Sequence, residues 1–357
     1  MTQVSPEDRR WLDAAVRYAT PFLGTTGDNP CAAALVVDPR RQTLIARAVT
    51  ARGGRPHAEA IALASAGLEA AGSTLYATLQ PCHHWGRTPP CVDAIVRAGV
   101  MRVVIGVADP DPLAAATGLE RLQSAGIEVV LAEHAPSAAL HAGHLHLRTD
   151  GRPHVTAMLV VSADDRIVSP AAGAARDLLD LQRARADAIL IGAAMARHHN
   201  QQLAVAIPGL TARTPLRVVL AGAQGIDRSL NLVGRLSGYR TAVIAESSVP
   251  VDAPASVEVL RVAGLNGHPD LTEVLTTLGK KGLQNLLIEP GPRLAAALLQ
   301  AGLIDCFGLI VSKDAANDGP PAASTGKVTK LIAAAGLVET EHQNHDTATL
   351  KFYRRPA

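Results

Sequence analysis

The chain has 357 residues, enough at about 100–200 residues per domain for two domains. Hydrophobic residues make up 48% and charged residues 18%, which excludes a mainly disordered chain. With 34 basic residues against 32 acidic ones, and only two Trp, four Tyr and three Phe, it has no broad electrostatic reason to hold a nucleic-acid backbone and few rings for stacking on bases, which demotes nucleic-acid binding to a local patch at most.

The first residues, through Tyr18, lack the apolar core of a signal peptide and read as a capped helix instead. Ser5 caps it, and Trp11, Ala14, Ala15, Tyr18 and Phe22 sit at helical spacing to about Phe22. Ala32 to Val37 and Thr43 to Ala48 form a strand pair around the Asp38-Pro39 turn. A helix is predicted from His57 to Ala71, a strand from Thr74 to Leu79 and a helix from Cys91 to Ala98. Arg102 to Val107 is a strand, Leu113 to Ser124 a helix, Ile127 to Leu131 a strand and Ala135 to Leu147 a helix. This alternation predicts an α/β layer sandwich. The polar cluster Thr149-Asp150-Gly151-Arg152-Pro153 separates a domain over 1–148 from one over 152–357.

The second half restarts with a strand from His154 to Ser162 and a helix from Ala174 to Arg185. Further strands are predicted at Ala188 to Ile191, Leu216 to Leu220, Thr241 to Ala245, Val257 to Val262, Asn285 to Ile288 and Ile304 to Val311. Helices fall near Leu271 to Leu278 and Pro292 to Ala301, and His198-His199-Asn200 reads as a solvated loop. No apolar run approaches the ~20 residues of a membrane span.

Four cysteines in a chain of this length are not a disulfide framework, and they point to a reducing cytoplasm. Cys82 follows a strand after Pro81, Cys91 opens a helix after Pro89-Pro90, and His57-Ala58-Glu59 opens another. One imidazole and two thiolates, His57, Cys82 and Cys91, make a three-ligand zinc site with the fourth position left for water. Glu59, two positions from His57, is placed to carry protons between water and substrate. Taken singly, each Cys reads better as a small buried residue and His57 as a helix cap; it is their combination that points to metal. Zinc base deaminases carry H-x-E followed by P-C-x-x-C. The first half fits, but eight residues separate Cys82 from Cys91, so the intervening segment is a loop that returns to the metal.

From Thr78-Leu79-Gln80-Pro81-Cys82 through His84, Gly86-Arg87-Thr88-Pro89-Pro90-Cys91, the chain resembles the bifunctional riboflavin-biosynthesis deaminase/reductase family (RibD type). The likeness extends over nearly the whole chain, through Asn29-Pro30, Asp109-Pro110, Arg152-Pro153 and Glu289-Pro290-Gly291-Pro292. It implies a cytidine-deaminase-like α/β/α sandwich followed by a dihydrofolate-reductase-like α/β domain. It also implies zinc-dependent deamination of a ribosylated, phosphorylated diaminopyrimidinone, with Glu59 relaying protons. By the same resemblance Asn29 contacts the ring, Arg87 suits the phosphate, and His84 and Asp109 lie near the substrate. A homo-oligomer is the family's habit. Gln80, His83 and Asp111 depart from the family's usual Glu, Ser and Asn.

The second domain implied by the resemblance uses NADPH, with Val161, Gly192, Glu289 and Gly291 at its cofactor positions. Its markers are eroded. Ser162 and Asp164 survive without the Lys and Gly of the first motif, and the segment after Ser162 is shortened. Met195 stands where Thr belongs, His199-Asn200 where an Asp pair belongs, and Pro290 where a Gly belongs. Strict positioning is what hydride transfer requires. The expectation is therefore a reductase fold with NADPH held weakly or not at all. The alternatives are a fully bifunctional enzyme, and a deaminase of a related pathway whose second domain is structural.

Overall fold

The computed structural model describes residues 4–86, 88–110, 112–163, 167–170, 172–234, 238–313 and 325–356. Arg87, Asp111 and Asp164 lie outside them. The chain divides into two compact units, Met1–Gly151 and Arg152–Ala357.

In the first unit, α1 (Pro6–Ala19) opens on a capping box. Ser5 Oγ accepts from the Asp8 N–H at 3.1 Å, and Asp8 Oδ2 accepts from the Ser5 N–H at 2.9 Å. Arg102 donates to both Asp8 oxygens at 2.6 and 3.0 Å, and the Tyr76 hydroxyl adds a bond at 3.1 Å. Burial alone would raise the Asp8 carboxyl. The hydrogen bonds from Arg102 and Ser5 outweigh it and hold the group down at about 2.

Five strands follow: β1 (Ala33–Asp38), β2 (Thr43–Val49), β3 (Thr74–Ala77), β4 (Arg102–Ile105) and β5 (Glu128–Leu131). They pair in the order β2-β1-β3-β4-β5, antiparallel from β2 to β3 and parallel from β3 to β5. Alternation sends Ala34, Val36, Leu75 and Val103 to one face, against α2 (Ala58–Ala66), α3 (Cys91–Arg97) and α4 (Pro112–Ser124). Leu35, Tyr76 and Val104 face the other way, toward α1 and α5 (Ala135–Leu140). The result is the expected three-layer α/β/α sandwich. Two predicted helices are interrupted. Gly67, at φ +56°, stops α2 four residues before Ala71, and the chain continues as a 3-10 turn, Gly67–Ala70. The predicted 135–147 helix is two: α5 ends, and α6 (Ala142–Thr149) begins after His141 leaves helical geometry.

The second unit is built on a nine-stranded sheet. Its strands are β6 (His154–Val161), β7 (Ala188–Gly192), β8 (Leu216–Leu220), β9 (Thr241–Glu246), β10 (Glu258–Val262), β13 (Asn285–Glu289), β14 (Cys306–Ser312), β15 (Val338–Asn344) and β16 (Ala348–Arg354). A two-residue hairpin, β11 (Gly264–Leu265) with β12 (His268–Pro269), stands apart. The order is β10-β9-β8-β7-β13-β6-β14-β16-β15, parallel from β10 to β14 and antiparallel over the last two pairs. Both faces of the parallel part are buried, which explains continuous apolar runs such as Ala157 to Val161. The helices are α7 (Ala174–Arg185), α8 (Ala193–His199), α9 (Asn231–Gly234), α10 (Leu271–Lys280), α11 (Pro292–Gln300) and α12 (Thr325–Ala334).

The predicted loop at His198-His199-Asn200 is instead the end of α8. Asn200 takes a left-handed cap at φ +43° and accepts from the Asn231 N–H at 2.9 Å. Among the described residues no helix is long and apolar enough to cross a membrane.

Candidate zinc and deamination site

His57 is the N-cap of α2, Glu59 lies in that helix's first turn, and Cys91 is the first residue of α3. Cys82 lies beyond the end of β3, where open parallel sheets present their ligands. The Cys82 carbonyl accepts from the Val92 N–H at 3.1 Å, and its Sγ from the Cys91 N–H at 3.4 Å. The start of α3 is thereby locked to the Cys82 segment despite the long spacer.

His57 Nδ1 lies 3.5 Å from Cys82 Sγ and 3.4 Å from Cys91 Sγ. Zinc–nitrogen and zinc–sulfur bonds of ordinary length, set tetrahedrally, put such atoms about 3.6 Å apart. The donor set fits zinc in both chemistry and spacing. On the far side of the ring, His57 Nε2 is 3.3 Å from Asn29 Oδ1, an acceptor that favours the tautomer with the proton on Nε2 and the Nδ1 lone pair facing the thiols. Gly54 permits this arrangement. A Cβ at that position would lie 2.3 Å from Asn29 Nδ2, and its φ of +91° suits only glycine.

The charges are equally specific. Hydrogen bonds from Cys91 and His57 pull the Cys82 thiol down to about 4 against its burial. Cys91, bonded to that thiolate and buried, is pushed far up, so the metal-free pair shares one negative charge. Glu59 is buried, with Oε2 3.5 Å from Cys91 Sγ, and burial pushes its carboxyl above the ordinary range. Beside these groups opens a cavity of about 320 Å³, a size suited to a small ligand. His57, Glu59, Cys82 and Asn29 line it, as do His84 and Asp109, whose N–H donates to Gln80 Oε1 at 3.2 Å. Asn29, which the resemblance assigns to the substrate ring, thus also orients the metal-facing histidine.

Residues 5–107 match the cytidine and deoxycytidylate deaminase zinc-binding region, and residues 153–312 match the RibD C-terminal domain. The riboflavin biosynthesis protein RibD of Escherichia coli K12 is 35% identical, with 84% of this chain and 86% of that protein covered. The chain belongs to the RibD family. It is a riboflavin-biosynthesis enzyme with a zinc-dependent deaminase domain joined to a RibD reductase-type domain. RibD of Acinetobacter baumannii superposes with a TM-score of 0.80 at 27% identity, covering 98% of this chain and 99% of that one. A deaminase/reductase from Thermotoga maritima gives 0.80 at 25% identity, with the same coverage.

In this RibD chain the expected cofactor positions lie at or just beyond the ends of β6, β7 and β13. Val161 is fully buried in the core. Gly192 caps α8 and Gly291 caps α11. Met195 is packed onto Gly291, where a Cβ would come 2.6 Å from its Cγ. Glu289 accepts from Arg183 Nε and a terminal nitrogen at 2.6 and 2.7 Å, and Arg183 also binds Asp180 at 3.0 Å, wholly out of solvent. Between Met195, His199, Glu289 and Pro290 remains a void of about 30 Å³, room for about one water.

Sequence reasoning missed Arg55, Thr50, His144, Leu147 and Arg148, which also line the deaminase cavity. The last three recur at i, i+3 and i+4 on α6, a face that reads from sequence as ordinary helix packing. It also missed a chain in which His134 Nδ1 is 2.9 Å from Ser137 Oγ and Nε2 is 3.1 Å from Asp13 Oδ1. That arrangement imitates a hydrolase triad. Ser137, however, has no exposed surface, and a Cβ on Gly106 would meet its hydroxyl at 2.3 Å, so the chain of bonds is structural.

Proposed function

We propose that the chain hydrolyses the ring amine of diaminohydroxyphosphoribosylaminopyrimidine, the substrate class named for the Thermotoga relative, and releases ammonia. The observation that carries this reading is the tetrahedral spacing of His57 Nδ1, Cys82 Sγ and Cys91 Sγ beside the buried carboxyl of Glu59, on the wall of one cavity. His57 Nδ1, Cys82 Sγ and Cys91 Sγ would hold a zinc ion, which would supply the Lewis acidity for water to lose a proton near neutral pH. Glu59 accepts that proton, and its burial favours the protonated form. As the water oxygen bonds to the amine-bearing ring carbon, Glu59 delivers the proton to the departing amine nitrogen, the carbon–nitrogen bond breaks, ammonia leaves and the ring keeps the oxygen as its carbonyl. Asn29 keeps Nε2 protonated and the ring of His57 in place throughout.

The same proposal assigns the second domain a reductase fold with weak or absent NADPH binding. Its support is the Met195 side chain seated on Gly291, and Glu289 committed to Arg183. A reading with both activities intact is favoured by the α11 N-terminus at Gly291-Pro292, which can receive a phosphate, and by the relatives' deaminase/reductase names. One assay separates them. The zinc-loaded chain is given the diaminopyrimidine with and without NADPH, and ammonia release and NADPH oxidation are followed separately. Ammonia without NADPH oxidation supports the proposal. Substrate-dependent oxidation at micromolar NADPH restores the bifunctional reading, and no ammonia overturns the deaminase assignment.

A further inference from the structure

The loop between Cys82 and Cys91 is held by different means at its end and at its middle. Its return end is tied to the metal segment by backbone, through the bonds from the Val92 and Cys91 N–H groups to Cys82. Its middle carries His84, which lines the cavity, followed by Trp85, Gly86 and Thr88. The Gly86 N–H donates to the Thr88 carbonyl at 3.3 Å, a bond internal to the loop. Among the described residues, the hydrogen bond that joins residues 83–90 to a part of the fold beyond α3 comes from Arg55, which donates from a terminal nitrogen to Thr88 Oγ1 at 2.7 Å. The other terminal nitrogen lies against Gly86, where a Cβ would come within 3.2 Å of it. One guanidinium thus stands against the residues on both sides of position 87. Arg55 is itself carried on a pinned turn. The Gly53 N–H donates to the Thr25 carbonyl at 2.9 Å, Gly54 to Ala51 at 2.8 Å and Ala51 to Pro56 at 3.0 Å, and His57 follows two residues on.

We propose that Arg55 is a positioning residue of the deamination site, a clamp that fixes the loop between the two thiol ligands as a wall of the cavity. The inference rests on the substrate reading above and deepens it. A loop with few bonds of its own keeps one conformation only where an anchored group holds it. A planar guanidinium can hold it at two points at once, which an ammonium cannot. The contacts between Cys82 and the start of α3 do not pass through Arg55, so the clamp governs the wall and not the metal. Its loss therefore weakens substrate binding and leaves the chemical step of bound substrate in place.

The test uses the zinc-loaded full chain and the diaminopyrimidine phosphate. Arg55→Ala is expected to raise KM about tenfold and Thr88→Val about threefold, with kcat changed less than about twofold and the double variant no worse than Arg55→Ala alone. Arg55→Lys recovers part of the loss. Zinc affinity, measured by chelator competition, stays at its wild-type value. A second readout needs no turnover. Trp85 is 74% exposed in the same loop, and Trp11 is the chain's other Trp. In a Trp11→Phe background the fluorescence anisotropy of Trp85 falls in Arg55→Ala and in Thr88→Val alike. If Arg55→Ala raises KM while Thr88→Val changes neither KM nor anisotropy, Arg55 touches the substrate directly and the clamp is overturned. Additive losses in the double variant, or a drop in zinc affinity, overturn it too. A chain whose Trp85 responds as expected but whose wild type releases no ammonia overturns the reaction and leaves the clamp standing.

Discussion

At the scale of single residues, the metal centre divides into groups that ligate, one that moves protons and one that orients. Replacing Glu59 by Gln keeps the side chain's volume, so zinc content and unfolding midpoint are expected to hold while ammonia release falls about 10²-fold or more. Near-normal turnover in that variant would mean another group carries the protons. Asn29→Ala removes the acceptor on His57 Nε2. Zinc affinity, measured by competition with a chelator, is expected to fall about 10–100-fold with the three ligands untouched. The ligands themselves were legible because one His and two Cys in helix-start and strand-end contexts have few other uses. The role of Asn29 was not. Nothing in a 28-residue separation says which ring nitrogen faces the thiols, and only the fold brings the amide to Nε2. The cavity arginine of α6 was hidden for the same reason.

At the scale of elements, long amphipathic helices and apolar strands were readable, and the breaks between them were not. His141 interrupts the predicted 135–147 helix because it is buried, with Nε2 2.9 Å from Thr78 Oγ1, and such a partner is invisible to helical periodicity. The end of α8 was misread because polar composition imitates a loop, while the cap depends on Asn231 at the start of α9, distant in the chain. The α1 terminus offers a pH test. Asp8 is held at about 2 when folded, against an ordinary 3.8. Its folded-state value is depressed, so its contribution is present above about pH 4 and is lost as pH falls toward 2. Asp8→Asn is expected to lower stability by about 1–3 kcal/mol at pH 7, by leaving Arg102 and Tyr76 short of an acceptor. In thermal melts the gap from wild type should close between pH 4 and 2. A gap that is the same at pH 7 and pH 2.5 would rule out the carboxylate as its source.

At the scale of the whole molecule, two units with separate cores are expected to unfold in two transitions. Only the first holds the zinc ligands, so stripping the metal should lower the deaminase-unit transition and leave the other where it was. Calorimetry of the full chain before and after chelation checks this, and a matched shift of both transitions would contradict it. The partly buried carboxylate of Glu289 bears on how such a molecule is judged at all. It is clamped by Arg183, which also holds Asp180 in the core. Removing one member of a buried ion pair costs about 3–5 kcal/mol. Selection for a folded protein alone would therefore keep Glu289 in place after every contact with a nicotinamide had been abandoned. An inventory that counts this acid as a token of catalytic competence reads the integrity of the scaffold, and a chain can carry the token with no turnover behind it.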